Sequence, residues 1–136
     1  MLILTLGGIK MIKGIEHIAI FSNNSEALKD WYIKLFDFKQ VYDNGKGTYF
    51  LQSPDGCMIE FCVADSVSEK YNVAVSGIRH IALATDNIEE MTDKLLAEGV
   101  EVVTPMTIST SGEGTFFFRD IDGNILHLIS RVTPLA

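Results

Sequence analysis

Two stretches of this 136-residue chain repeat each other, and that repetition limits the fold more than any other feature. Gly14, Ile15, His17, Ile18 and Ala19 recur as Gly77, Ile78, His80, Ile81 and Ala82, at an offset of 63. Further along, SPDGCMIEF (53–61) aligns with DIDGNILHL (120–128) at an offset of 67, so a four-residue insertion separates the two landmarks. Asp55-Gly56 and Asp122-Gly123 are hairpin signals, because glycine accepts the positive φ that tight turns require. Each follows an aromatic run, GTYFLQ or GTFFFR, whose composition favours strand. Between the landmarks, Leu28, Trp31, Tyr32, Leu35 and Phe36 recur at helical spacing. In the second half Ile88, Met91, Leu95 and Leu96 do the same, with Gly99 as the stop. Each half therefore predicts strand, helix and three strands. The expected class is α+β, built from two tandem βαβββ modules that share a core.

The modules are expected over residues 12–65 and 75–131, with the polar segment ADSVSEKYNVA (64–74) between them. Residues 1–11 form an N-terminal extension, and translation can begin at Met1 or at Met11. An additional edge strand is the competing reading of this extension.

Strand alternation then sorts the side chains, since residues two apart share a face. His17 faces with Ile15, Ala19 and Phe21, while Ile18 and Ile20 face a helix. His80 faces with Ala82 and Ala84, and Ile81 and Leu83 pack the other side. After the hairpins Met58, Glu60 and Cys62 share a face, as do Ile125, His127 and Ile129. Glu60 and His127 occupy one repeat position, His17 and His80 another. A single buried histidine is ordinarily structural. Here, however, all three histidines of the chain fall on equivalent positions, and a carboxylate, costly to bury unpaired, falls on the fourth. If the modules pack about a pseudo-twofold axis, His17, Glu60, His80 and His127 converge as ligands of one divalent ion such as Zn, Ni, Co, Fe or Mn.

The net charge of −7 and a sequence pI of about 4.8 argue against nucleic acid, which needs a basic surface, and against anionic lipid. MLILTLGG is too short to span a bilayer and lacks the basic start of a signal peptide, so a cytoplasmic chain is expected. Cys57 and Cys62 are expected as free thiols, Cys62 mainly as a small hydrophobe. Arg79, placed opposite His80 by alternation, and Arg119 are expected as solvated surface residues. The aromatic runs build the sheets, with Tyr49 and Phe117 the candidates for ligand contact, and Trp31 and Tyr32 pack helix against sheet.

The paired pattern resembles the vicinal oxygen chelate superfamily, which includes glyoxalase I, methylmalonyl-CoA epimerase, extradiol dioxygenases and the fosfomycin- and bleomycin-resistance proteins. DWYIKLFDF (30–38) looks like that family's helix end, with Phe36-Asp37-Phe38 where Leu-Gly-Phe is usual. DGNILHL (122–128) looks like its Asp-Gly-Asn-x-x-Glu-Leu. The resemblance covers residues 12–131 and implies a glyoxalase-like open cup of eight strands around a metal, commonly in a homodimer. It also implies a metal-dependent lyase or isomerase acting on a small carbonyl substrate through a metal-stabilised enediolate. In that chemistry Glu60 is a ligand that loosens to act as base, and His127 a ligand or second proton carrier. The family generally places glutamate where this chain has His127, which removes one candidate base and leaves the site more positive. Two alternatives stand. One is a ferrous dioxygenase using His17, Glu60 and either other histidine. The other is a non-catalytic module that sequesters a small molecule. No segment matches a glutathione or coenzyme A site specifically enough to choose between them, so a thiol cofactor stays open.

Overall fold

A computed structural model of the chain describes residues 11–67 and 76–136. The expected extension apart from Met11, and most of the expected linker, lie outside the described residues. The first module runs β1 (His17–Ser22), α1 (Ser25–Phe36), β2 (Lys39–Asp43), β3 (Tyr49–Gln52) and β4 (Met58–Val63). The second runs β5 (His80–Ala84), α2 (Ile88–Ala97), β6 (Glu101–Ile108), β7 (Gly114–Arg119) and β8 (Ile125–Ser130). This is βαβββ twice, an α+β fold, as the repeat predicts.

Local chemistry sets the element ends. The Asn24 side chain accepts from Ala27 N at 3.1 Å to open α1, and the Asn87 side chain accepts from Glu90 N at 3.1 Å to open α2. Gly99, at φ 79°, follows the end of α2, while α1 ends on Asp37, at φ 55°. Gly56 and Gly123, at φ 96° and 91°, make the two hairpin turns.

The strands form two four-stranded sheets of matching order, β1-β4-β3-β2 and β5-β8-β7-β6. In each, the histidine-bearing first strand is an outer strand, parallel to the last strand of its module. Pro105 lies in β6, the opposite edge of its sheet, where the pairing with β7 slips register and the missing N–H costs no central ladder bond.

One apolar core serves both modules. It joins Ile20, Leu51, Ile59 and Phe61 of the first sheet to Phe116, Phe118, Leu126 and Leu128 of the second, with Leu28, Tyr32 and Leu35 of α1 and Leu95 of α2. The helices touch as well: Lys94 Nζ donates to the Leu35 carbonyl at 3.1 Å, and Lys34 pairs with Glu98 at 3.0 Å. Each of these sheet residues alternates with the histidine-bearing face of its sheet. The faces carrying His17 and His80 therefore both turn away from the shared core.

Candidate metal centre

Parallel pairing places the candidate ligands. Ala19 stands opposite Glu60 across β1 and β4, and Ala82 stands opposite His127 across β5 and β8. With only a methyl group in each of these positions, the first-strand histidine one pleat away can lean toward its partner. His17 Nε2 lies 3.6 Å from Glu60 Oε1. The rings of His80 and His127 meet edge to face, with centroids 5.2 Å apart.

In the first half-site, His17 Nδ1 lies 2.9 Å from Glu16 Oε1. A carboxylate only accepts, so Nδ1 is the nitrogen that donates to Glu16, and Nε2 is the nitrogen turned toward Glu60. This is the arrangement by which a neighbouring carboxylate fixes a metal-binding histidine. Cys62 shares the Glu60 face; its thiol is pushed up first by burial, then by the Glu60 charge and a hydrogen bond to that carboxylate. Cys62 is buried and packs as a small hydrophobe.

The second half-site is drier. His127 stacks on Phe117, with centroids 3.9 Å apart and planes 7° from parallel. Both its ring nitrogens are shielded from solvent and have no hydrogen-bond partner among the described residues. Burial holds both histidines below the ordinary imidazole value, more than the positive Arg79 does for His80, or His80 and Arg79 do for His127. Both rings are thus kept neutral, the form that offers a lone pair to a cation.

Among the described residues no group of three histidine, cysteine, aspartate or glutamate side chains is gathered closely enough to hold a cation. One copy brings His17 to Glu60 and His80 to His127, but does not bring all four together. Strand alternation placed each residue on its face. It put Ile20, Ile81 and Leu83 on the packing face, as found, but could not say whether the two histidine faces would meet within one copy.

Other expectations change. Arg79 does not lie away from His80: its Nη1 is 3.0 Å from His80 Nδ1, and its Cζ is 4.9 Å from the Phe117 centroid. Arg79 precedes β5, so the strand pleat does not fix its direction. Tyr49 is buried on the core side with Lys29 Nζ 4.7 Å above its ring, so only Phe117 of the two candidates faces the site. Arg119 donates to the Gly123 carbonyl at 2.7 Å and pairs with Glu101 at 3.2 Å. Phe50 is the site residue that sequence reasoning missed. It lies opposite Glu60 and meets His17 edge to face at 5.2 Å, as Phe117 lies opposite His127 and meets His80 at 5.4 Å. The 67-residue offset, which relates Phe50 to Phe117, carried the signal. A cleft of about 360 Å³ lined by Ile18, Ile59, Ile81 and Leu83 contains none of the four candidate ligands.

Three imidazoles and one carboxylate suit a divalent transition ion, and the unpartnered nitrogens of His127 are what a ligand awaiting a cation presents. A family model described as the Glyoxalase/Bleomycin resistance protein/Dioxygenase superfamily matches residues 14–128. Biphenyl-2,3-diol 1,2-dioxygenase 2 of Rhodococcus globerulus is 26% identical over 118 residues, which are 82% of this chain and 60% of that protein. Among solved structures, the fosfomycin resistance protein FosX of Listeria monocytogenes, complexed with Mn(II) and sulfate ion, superposes with a TM-score of 0.72 at 24% identity. That match covers 90% of this chain and 93% of FosX. Lactoylglutathione lyase of Agrobacterium tumefaciens gives a TM-score of 0.67 at 17% identity, covering 89% and 96%.

Proposed function

The chain belongs to the Glyoxalase/Bleomycin resistance protein/Dioxygenase superfamily, and from that premise we propose that it is a metal-dependent lyase or isomerase acting on a small carbonyl substrate. The observation that carries this reading is the pair of half-sites, each with two donor side chains at equivalent repeat positions. His17 and Glu60 face one way and His80 and His127 another, while β1 and β5 are both outer strands. Phe21 and Ile18 on β1 are 65% and 40% exposed, more than an unpartnered strand of a soluble module tolerates well. Two copies related by a twofold axis could set β1 of one beside β5 of the other. His17 and Glu60 of one copy would then join His80 and His127 of the second, completing two equivalent sites.

A divalent cation in such a site supplies positive charge that polarises adjacent substrate oxygens and makes a C–H α to a carbonyl more acidic. Glu60, the one carboxylate of the set, accepts that proton, with His17 Nε2 beside it at 3.6 Å and Cys62 on the same face. Phe50 and Phe117 wall the donors on both sides and exclude water from the charge that develops. With histidine in place of a second carboxylate, the site keeps more of the cation's charge for the substrate. FosX with Mn(II) and the lactoylglutathione lyase support the metal and the lyase chemistry by likeness of fold.

Metal content of protein prepared without chelator, together with turnover of Glu60→Gln, tests the reading. Stoichiometric metal with a loss of at least about 100-fold in turnover is expected for removal of a general base. Full activity in Glu60→Gln would refute it. A second reading, a ferrous dioxygenase, is favoured by the similarity to the biphenyl-diol dioxygenase and by the set of two histidines and one carboxylate. Oxygen consumption that requires iron would establish it instead.

A further inference from the structure

The residue before each first-strand histidine is the same repeat position, and it carries opposite charges: Glu16 before His17 and Arg79 before His80. Both side chains reach the Nδ1 atom of the histidine that follows, Glu16 at 2.9 Å and Arg79 at 3.0 Å. Their effects on the ring are opposite. Glu16 accepts, so Nδ1 of His17 is the donating nitrogen and Nε2 is the one left to a cation. A guanidinium can only donate, so the His80 lone pair is on Nδ1, already engaged, and the proton is on Nε2. A neutral imidazole has one lone pair in the ring plane. A cation can bind His80 at Nδ1 only by displacing Arg79, or at Nε2 only after the proton has moved to Nδ1, which ends the same hydrogen bond. The guanidinium charge also repels a cation.

We propose that Arg79 is a positioning residue that competes with the metal for His80, while Glu16 at the equivalent position readies His17 to bind it. This rests on the metal-dependent reading above. Arg79 keeps the second half-site closed until a cation takes the His80 lone pair, and stacking against Phe117 gives the guanidinium a second hold. Metal loading and release of Arg79 are then one event.

Two measurements on the whole chain test it. Long-range proton–nitrogen correlation spectra of metal-free protein should show His17 as the Nδ1–H tautomer and His80 as the Nε2–H tautomer. Arg79→Met should lose the His80 preference, and Arg79→Lys, which still donates, should keep it. Calorimetric titration with Mn(II) should show Arg79→Met binding about tenfold tighter than wild type, and Glu16→Gln about tenfold weaker, as for other groups that orient a metal-binding histidine. An Nδ1–H tautomer at His80 in the metal-free protein, or an unchanged or weaker Mn(II) affinity in Arg79→Met, overturns the proposal and leaves the metal site itself standing. Absence of Mn(II) binding in wild type and Arg79→Met alike overturns the metal reading and this inference with it. The tautomer measurement on wild type needs no variant, so it decides even if Arg79→Met fails to fold.

Discussion

Asp37 is the only non-glycine residue among those described that holds a positive φ, 55°, at the end of α1. Its N–H still closes the last turn onto the Ile33 carbonyl at 3.0 Å, so the cap is formed, but by a residue poorly suited to it. The left-handed conformation costs a side-chain-bearing residue free energy that glycine does not lose, and a carboxylate at a helix C-terminus faces the negative end of the dipole. Asp37→Gly should therefore stabilise the fold by about 0.5–1 kcal/mol, and Asp37→Asn by less, because asparagine relieves only the charge. Urea denaturation of the two variants beside wild type checks the order; a destabilised Asp37→Gly would count against this account of the cap. The place was legible in the sequence, where Phe36-Asp37-Phe38 departs from Leu-Gly-Phe. Arg79 was not legible in the same way. Alternation speaks only for residues inside a strand, and both Glu16 and Arg79 stand one residue before theirs.

Between elements, the modules are tied by a polar contact inside the shared core. Tyr32 of α1 donates to Asp120 Oδ2 at 2.7 Å across 88 residues of sequence, and Asn124 Nδ2 donates to the same oxygen at 2.9 Å. Burial raises the Asp120 carboxyl above its ordinary value, against the lowering effect of its Asn124, Tyr32 and backbone donors. A carboxyl with a folded value above its unfolded one stays protonated in the folded chain after the unfolded chain has lost the proton. Its contribution to stability is therefore fullest at low pH and declines as pH rises from about 4 through the folded value. Tyr32→Phe removes one of the lowering donors, so the decline should extend to higher pH. The variant should also lose about 1–2 kcal/mol at neutral pH, as expected for one charge-assisted hydrogen bond. Asp120→Asn should flatten the same window, and denaturation midpoints across pH 4–7 measure both; parallel pH profiles in all three proteins would refute the assignment. A second contact of elements is steric. A Cβ on Gly114, at the start of β7, would come within 2.9 Å of Ile88 Cγ2 in the first turn of α2. Gly114→Ala should accordingly cost about 1–3 kcal/mol by overpacking, read as a lower thermal midpoint. The order of elements was legible because the repeat marked three strands of each module and helical spacing marked one helix between them. The Tyr32–Asp120 tie was not, since Ser53 stands where the repeat would place Asp120 in the first module and so gave no second copy to compare.

For the molecule as a whole, strand alternation named the packing face of each sheet, but not how the two histidine-bearing faces would lie relative to one another. Ile20, Ile59 and Phe61 went to the shared core, leaving Phe21 and Phe50 beside the candidate ligands. That choice separates the half-sites within one copy and makes the proposed centre depend on a second. The dependence can be tested without knowing the substrate. A chain with His17→Ala and Glu60→Gln lacks the first half-site, and a chain with His80→Ala and His127→Ala lacks the second. Each alone should bind no metal. Unfolded together in equal amounts and refolded, they should form mixed dimers in about half of all pairs, each with one intact and one doubly disrupted site, for about one quarter of the wild-type metal per chain. Sites built within one chain would give no recovery, because neither variant carries a complete set. Recovery without dimers in sedimentation would refute the twofold arrangement. Recovery that tracks dimer concentration would join the four residues across two copies.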